Sequence, residues 1–432
     1  MFCPEPGPHS RFPRRGAVVG RDVRLVTCRR TGTALAVLAV WAGLLGGLTG
    51  CTEDGRPPVE IQLPGKPRSP EEAIRITPDD NAKGVPAEGP LSVTVPEGRL
   101  ERVKVVKVED AQEEEVPGAV AEDGLSWSPD PEHGKLALAA KYTVDAVAVD
   151  GHDRRQARHT TFTTFVPEER FIGYFKPEHR STVGTGMIIS FRFSRAITHR
   201  AAVEKAISVT ASPPVEVAGH WFGNDRLDLR PKQYWKPGTE VTIDLKLRDV
   251  EGAPGSYGLQ NKKVRFTVGR HQVSTVDAEA HTMVVRRGDE VLSTVPISAG
   301  APKTTTYNGK MVVMEMFDVT RMNGQTVGFG GEYDIPDVPH AIRLTSSGTF
   351  LHGNYWASPD TFGTTNTSHG CVGLRDDKGG GSDTPAGWFF DRTLIGDVVE
   401  VVNSQDKTVA PNNGLGGWNM SWPDWIAGSA LT

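Results

Sequence analysis

Cysteine is scarce in this 432-residue chain: Cys3, Cys28, Cys51 and Cys371 are all it has. The first three fall in or at the end of a segment that reads as an export signal, so a disulfide framework is excluded for the remainder. A basic excess is missing as well. The 48 Lys and Arg are outnumbered by 53 Asp and Glu, a formal charge of −5. Such a chain is a poor nucleic-acid binder, because that function rests on clustered positive charge. Long helical patterns are also rare, while 48 Gly and 31 Pro are spread throughout. A helical bundle is thereby disfavoured, and the chain reads as mainly β.

Beyond Thr31 to Leu48 there is no long apolar run, and that one is preceded by Arg24, Arg29 and Arg30. A basic stretch followed by an apolar one and small residues is the pattern of a secretory signal. The run ends Leu48-Thr49-Gly50-Cys51, which resembles the lipobox of bacterial lipoproteins. That resemblance implies cleavage before Cys51 and lipidation of its thiol. The alternative is an uncleaved membrane anchor, since the run approaches the ~18–20 residues that span a bilayer. Either way the rest of the chain is expected outside the cytoplasm, and with the lipid on the outer face of the membrane, in the cell wall. Residues 1–23 are long and proline-rich for the start of a signal, which points to a start codon further along. Removing residues 1–50 takes away seven Arg and two acidic residues, leaving the mature chain still more acidic.

Composition and turn spacing divide the remainder. Residues 51–85 are rich in Pro, Gly and charge and read as a flexible tether, with a reach of ~30 Å for some 30 residues. Residues 86–165 and 166–269 each carry short alternating strands between turn signals, such as Leu100 to Val108 and Met187 to Phe193. Two immunoglobulin-like sandwiches are expected from that spacing. A third β-rich segment, 270–403, opens with a hairpin around Arg287 to Glu290 and includes a strand over Met311 to Met316. Residues 404–432 hold Trp418, Trp422 and Trp425 and are expected to dock on that third segment.

Chemistry concentrates at Thr367-Ser368-His369-Gly370-Cys371-Val372-Gly373. A thiol attacks as thiolate, and an unassisted cysteine with pKa ≈ 8.5 is only a few per cent ionised at neutral pH. His369 lies two residues before Cys371, on the same face if the segment is an extended strand. His352, 19 residues upstream, is the other candidate base. The amides of Gly370 and Cys371 are candidate donors to an oxyanion. On residue types alone three readings stand: a nucleophile, an inert buried cysteine, or one Cys with two His as zinc ligands.

The segment resembles the signature of the L,D-transpeptidases of the YkuD type, a histidine followed downstream by [Ser/Thr]-His-Gly-Cys-x-[Asn/Arg]. Here His352 is followed by fifteen residues and then Ser368-His369-Gly370-Cys371-Val372-Gly373. The likeness extends through Ala341 to Leu344, Trp388-Phe389 and Gly396 to Asn403, into Gly414 to Asn419. The chain looks like the actinobacterial lipoprotein form with two immunoglobulin-like domains before a catalytic domain at 270–403. The resemblance implies an acyltransferase with Cys371 as nucleophile and His352 as general base. His369 and Gly370 would shape the site. Tyr333, Thr367, Ser368, Gly353, Asn354 and Trp356 are then the expected substrate contacts. It also implies peptidoglycan peptide stems and carbapenem β-lactams as partners, a membrane reached through the lipid on Cys51, and no metal or other cofactor.

Two departures stand out. Gly373 occupies the position of Asn or Arg, with Asn354 or Arg375 as the candidate substitutes, and Gly353 follows the histidine where close relatives have Ser. Orientation of His352 would then fall to a backbone carbonyl. The Gly-rich stretch 376–387 is expected to be a flexible lid. Water as acceptor would make the protein an L,D-carboxypeptidase, and a degenerate site would make it a non-catalytic peptidoglycan-binding lipoprotein.

Overall fold

The structure, a computed structural model, describes residues 69–109, 112–327 and 330–432. The apolar run and Cys51 lie outside the described residues. Among those described, no helix is long and apolar enough to cross a membrane.

Two β-sandwiches come first. In the first, a four-stranded sheet packs on a five-stranded one, around Val93, Val105, Trp127, Tyr142, Val144 and Phe162. The end of the stretch expected as a tether belongs to it: Arg75–Thr77 and Ala82–Val85 are strands of the two sheets, because Ile74, Ile76 and Val85 supply apolar side chains to the core. Strand Lys141–Val149 shows why: its apolar residues alternate, and so does its burial, as one face of a sheet turned to a core requires. The second pairs a sheet containing Ile189–Phe193 and Arg226–Pro231 with one containing Glu240–Lys246 and Asn261–Val268. Phe191, Phe193, Trp221, Leu227, Ile243 and Phe266 fill it. Its one helix is Arg200–Lys205.

The third unit is built on a nine-stranded sheet. Across it run Gly309–Val312, Val398–Val402, Gln272–Asp277, Thr282–Arg287, Glu290–Ser298, Val372–Arg375, Phe350–Asn354, Asp334–Arg343 and Glu315–Asn323. The expected strand Met311 to Met316 is therefore two strands at opposite edges, with Val313 and Met314 between them. Its continuous apolar character arises because Met311, Val312 and Val313 are all buried. The helix Pro385–Asp391 is capped by Thr384, whose hydroxyl accepts from the Gly387 amide, and Phe389 anchors it in the core.

Residues 404–414 dock on the third unit, with Val409 in its core, while the tryptophans that follow pack on the second sandwich. Trp425 is fully buried, donates its indole N–H to Ala218 O at 2.9 Å and stacks on His220. The Arg230 guanidinium lies over the rings of Trp418, Trp422 and Trp425. Asn419 ties the tail to the third unit through both the N–H and C=O of Lys310, and Ser404, Asp406 and Asn413 bond there to Asn308, Thr305 and Ser347. The preference follows from composition, because aromatic faces gain more against a buried guanidinium and other rings than against a sheet edge.

Candidate active site

Cys371 and His352 meet because strands Phe350–Asn354 and Val372–Arg375 run parallel, with Leu351 opposite Val372 and His352 opposite Gly373. The chain between them makes a crossover and returns through a sharp bend. Residues 369–371 are not extended as expected: Gly370 has φ +112°, a conformation only glycine adopts without strain, and the strand begins at Val372. His369 and Cys371 nevertheless reach one cavity of about 190 Å³, whose walls include His352, Tyr333, Trp356 and Asn354.

Hydroxyls build the bend. Ser368 Oγ accepts from the Gly370 amide at 3.1 Å and donates to Cys371 O at 2.5 Å. Thr367 shares its hydroxyl with Ser298. Both residues line the cavity, but their hydroxyls serve the turn rather than standing free for substrate. The Gly370 amide, expected as an oxyanion donor, is likewise engaged with Ser368.

The Cys371 thiol is the free cysteine of the described residues. Burial pushes it up to about 11, against the Phe350 amide, which pulls it down. Its hydrogen points to Gly348 O at 3.6 Å. The resting group is therefore a thiol and needs a base at the moment of attack. His352 is 5% exposed, and burial holds it below the ordinary imidazole range, opposed by the Gly353 carbonyl and the charge of Asp376. Its Nδ1 lies 2.9 Å from Gly353 O. A carbonyl only accepts, so Nδ1 carries the hydrogen and Nε2 the lone pair. Trp356 stacks on the ring at 5.6 Å.

Across the cavity, His369 Nε2 is 2.9 Å from Glu332 Oε2, and its ring is 5.0 Å from that of Tyr333. Burial, with the thiol nearby, pushes the Tyr333 hydroxyl up to about 12. Tyr333 is placed by the hairpin of Glu315–Asn323 and Asp334–Arg343, which was not foreseen from sequence. The same hairpin brings Met322 and Ile335 to the cavity wall. Met316, Phe317, Val319 and Met322 were the available signal, broken up by Asp318, Thr320 and Arg321 between them.

Of the two candidate substitutes at Gly373, Asn354 has the position. Its side chain is 7% exposed, and its Nδ2 lies 3.3 Å from where a Cβ on Gly373 would sit. Arg375 is exposed and lines a separate polar cavity of about 490 Å³ together with Asp376 and Asp383. The Gly-rich stretch borders that second cavity rather than the thiol. Asp376 Oδ1 receives the amides of Asp377 and Gly381 and the Thr384 hydroxyl, so the stretch is pinned where a free lid was expected. Among the described residues no group of three or more His, Cys, Asp or Glu is arranged to hold a metal.

Comparison with known proteins agrees with this geometry. The bacterial Ig domain family matches residues 82–251, and the L,D-transpeptidase catalytic domain family matches residues 271–401. L,D-transpeptidase 2 of Mycobacterium tuberculosis (strain CDC 1551 / Oshkosh) is 34% identical over 408 residues, covering 92% of this chain and 95% of that protein. L,D-transpeptidase 5 of Mycobacterium tuberculosis (strain ATCC 25618 / H37Rv) is 29% identical over 375 residues, or 84% and 79% of the two chains. A solved structure of LD transpeptidase LdtMt1 in complex with imipenem is 27% identical, covers 53% of this chain and 97% of that one, and has a TM-score of 0.45. With a mainly β fold, an Ig-like region before the catalytic domain and relatives alike over most of its length, this chain belongs to the L,D-transpeptidase family and is an enzyme of that kind.

Proposed function

We propose that Cys371 is the nucleophile and His352 the base of a peptidoglycan L,D-transpeptidase that forms 3→3 cross-links. The observation that carries this reading is one cavity holding a thiol and a neutral, tautomerically fixed imidazole. His352 Nε2 takes the proton of Cys371 Sγ as the sulfur attacks the carbonyl carbon of the third, dibasic residue of a tetrapeptide stem. The Cys371 amide faces the developing oxyanion. The C–N bond to the terminal D-Ala breaks, and the imidazolium returns its proton to the leaving amine. A side-chain amine of a second stem then attacks the thioester carbon. The C–S bond breaks, the amine proton passes through His352 to the thiolate, and the cross-link is released.

Trp356 and Asn354 wall the donor side in this reading, and Tyr333 with His369 and Glu332 closes another wall. Carbapenems enter the same cavity and acylate Cys371. The N-terminal signal and lipobox support a lipid anchor at Cys51 on the outer face of the membrane, with residues 51–68 as tether and the two sandwiches as spacer. Incubation with purified disaccharide-tetrapeptides tests the reading. Cross-linked dimers that vanish in Cys371→Ala support it. Tripeptide alone identifies a carboxypeptidase, and binding without turnover a non-catalytic wall protein.

A further inference from the structure

Asp376 follows strand Val372–Arg375 and lines the polar cavity, not the thiol cavity. Its carboxyl is buried, with 0% of the side chain exposed. Every neighbour presents a donor. Oδ1 meets the amides of Asp377 at 2.8 Å and Gly381 at 3.0 Å and the Thr384 hydroxyl at 2.8 Å, while Oδ2 lies 2.8 Å from His340 Nδ1. A carboxylate, which only accepts, suits such a ring of donors.

This anion stands directly behind the base. A Cβ built on Gly353 would fall 2.0 Å from Asp376 Oδ2. The carboxylate therefore fills the side-chain space of the residue after His352, the residue whose carbonyl holds His352 Nδ1. Glycine at 353 and aspartate at 376 are a matched pair: any side chain at 353 evicts the charge.

His352 has two requirements that conflict. Burial keeps the imidazole neutral and ready to accept a proton, yet the imidazolium formed next is a buried cation, costly without a counter-charge. The titratable groups around it are Cys371, His369 and Tyr333 on the cavity walls, Glu332 beyond His369, and Asp376 with His340 behind Gly353. Arg375 and Asp377 flank Asp376 at the polar cavity. Of the carboxylates, Glu332 is largely exposed and paired with His369. Asp376 is the buried one, and its position is fixed by the sheet.

We propose that Asp376 is a positioning residue of the transpeptidase reaction, supplying from behind Gly353 the fixed negative charge that stabilises His352 once it has taken the Cys371 proton. This rests on the nucleophile and base assignments above. The proton moves from Sγ to Nε2 and later to the leaving amine, and Asp376 itself exchanges none.

The test is the rate of Cys371 alkylation by iodoacetamide as a function of pH, in the full chain and in Asp376→Asn, with melting curves to establish folding. Asparagine keeps the shape and removes the charge. The expected result is a fall of about tenfold or more at neutral pH, a fraction of the ~10²–10⁴ that a general base contributes. The curve also moves to higher pH, as the buried thiol ionises unaided. If Asp376→Asn does not fold, the double variant Gly353→Ser with Asp376→Ser, which refills the vacated space, is assayed with the same expectation. A folded variant with the wild-type curve overturns this role and leaves the nucleophile assignment standing. A wild type that does not alkylate at Cys371 overturns both.

Discussion

His352 faces Gly373 across a parallel strand pair, so the base and the residue two past the nucleophile share one rung of the sheet. No side chain at 373 reaches toward the ring. The amide of Asn354 stands in that space, 3.3 Å from where a Cβ would be. We propose that this amide takes the place of the polar group that the family signature has after the cysteine. Asn354→Ala should lower the rate of carbapenem acylation about tenfold, the ~1.4 kcal/mol expected for loss of one directed hydrogen bond. Adding Gly373→Asn, which then meets no Asn354 amide, should restore part of it. Stopped-flow fluorescence on the three variants checks this, and equal rates in all of them contradict the relocation.

The pH profile follows from two opposite effects of burial. His352 is held below the ordinary imidazole range and stays neutral, able to accept a proton, where a free imidazole would begin to protonate. The thiol, at about 11, contributes little free thiolate until strongly alkaline pH. Base-assisted acylation should therefore form a plateau from mildly acidic to alkaline pH, falling on the acid side only as His352 protonates. His352→Gln should remove the plateau, with a loss of ~10²–10⁴ at neutral pH. A rate that climbs tenfold per pH unit through neutrality in the wild type contradicts base assistance.

Gly353→Ala should be destabilising by about 1–3 kcal/mol, as expected when atoms are forced into a packed site. The added carbon meets Asp376 Oδ2 at 2.0 Å. In an Asp376→Gly background the same alanine should be tolerated. Denaturant unfolding of the two proteins measures the difference, and an equal cost in both backgrounds would show that the clash is relieved elsewhere.

Trp425 is fully buried against the second sandwich. Its replacement by Ala should cost about 3–5 kcal/mol, typical of a large aromatic removed from a core. The loss should appear in the unfolding of the second sandwich, because Trp425 stacks with His220 and Phe222 there. Proteolysis should accordingly cut first around 217–222 in the variant, and an unchanged cleavage pattern would place the tail's contribution in the third unit.

The sequence made the chemistry legible before the architecture. One unpaired cysteine, its flanking His and Gly and an upstream His pointed to one region, since they are close in the chain or on adjacent strands, and the family resemblance chose the nucleophile among three readings. The β class was equally plain from alternating strands such as Lys141–Val149. What was hidden depends on long-range pairing. The hairpin that carries Tyr333 over the thiol has mixed polar and apolar residues because both of its faces are partly exposed. The Asp376–Gly353 contact joins residues 23 apart, and only the parallel register brings them together. The second partner of the tail was hidden for a similar reason: Arg230 and His220, which receive its tryptophans, are about two hundred residues away.

The central claim is that Cys371 is an accessible, base-activated nucleophile. Intact-protein mass spectrometry after incubation with a carbapenem, on the wild type and on Cys371→Ala, tests accessibility, activation and identity together. One covalent adduct on the wild type, mapped to the Cys371 peptide and missing from Cys371→Ala, is the predicted result. No adduct on the folded wild type, or an adduct that persists in Cys371→Ala, would contradict it.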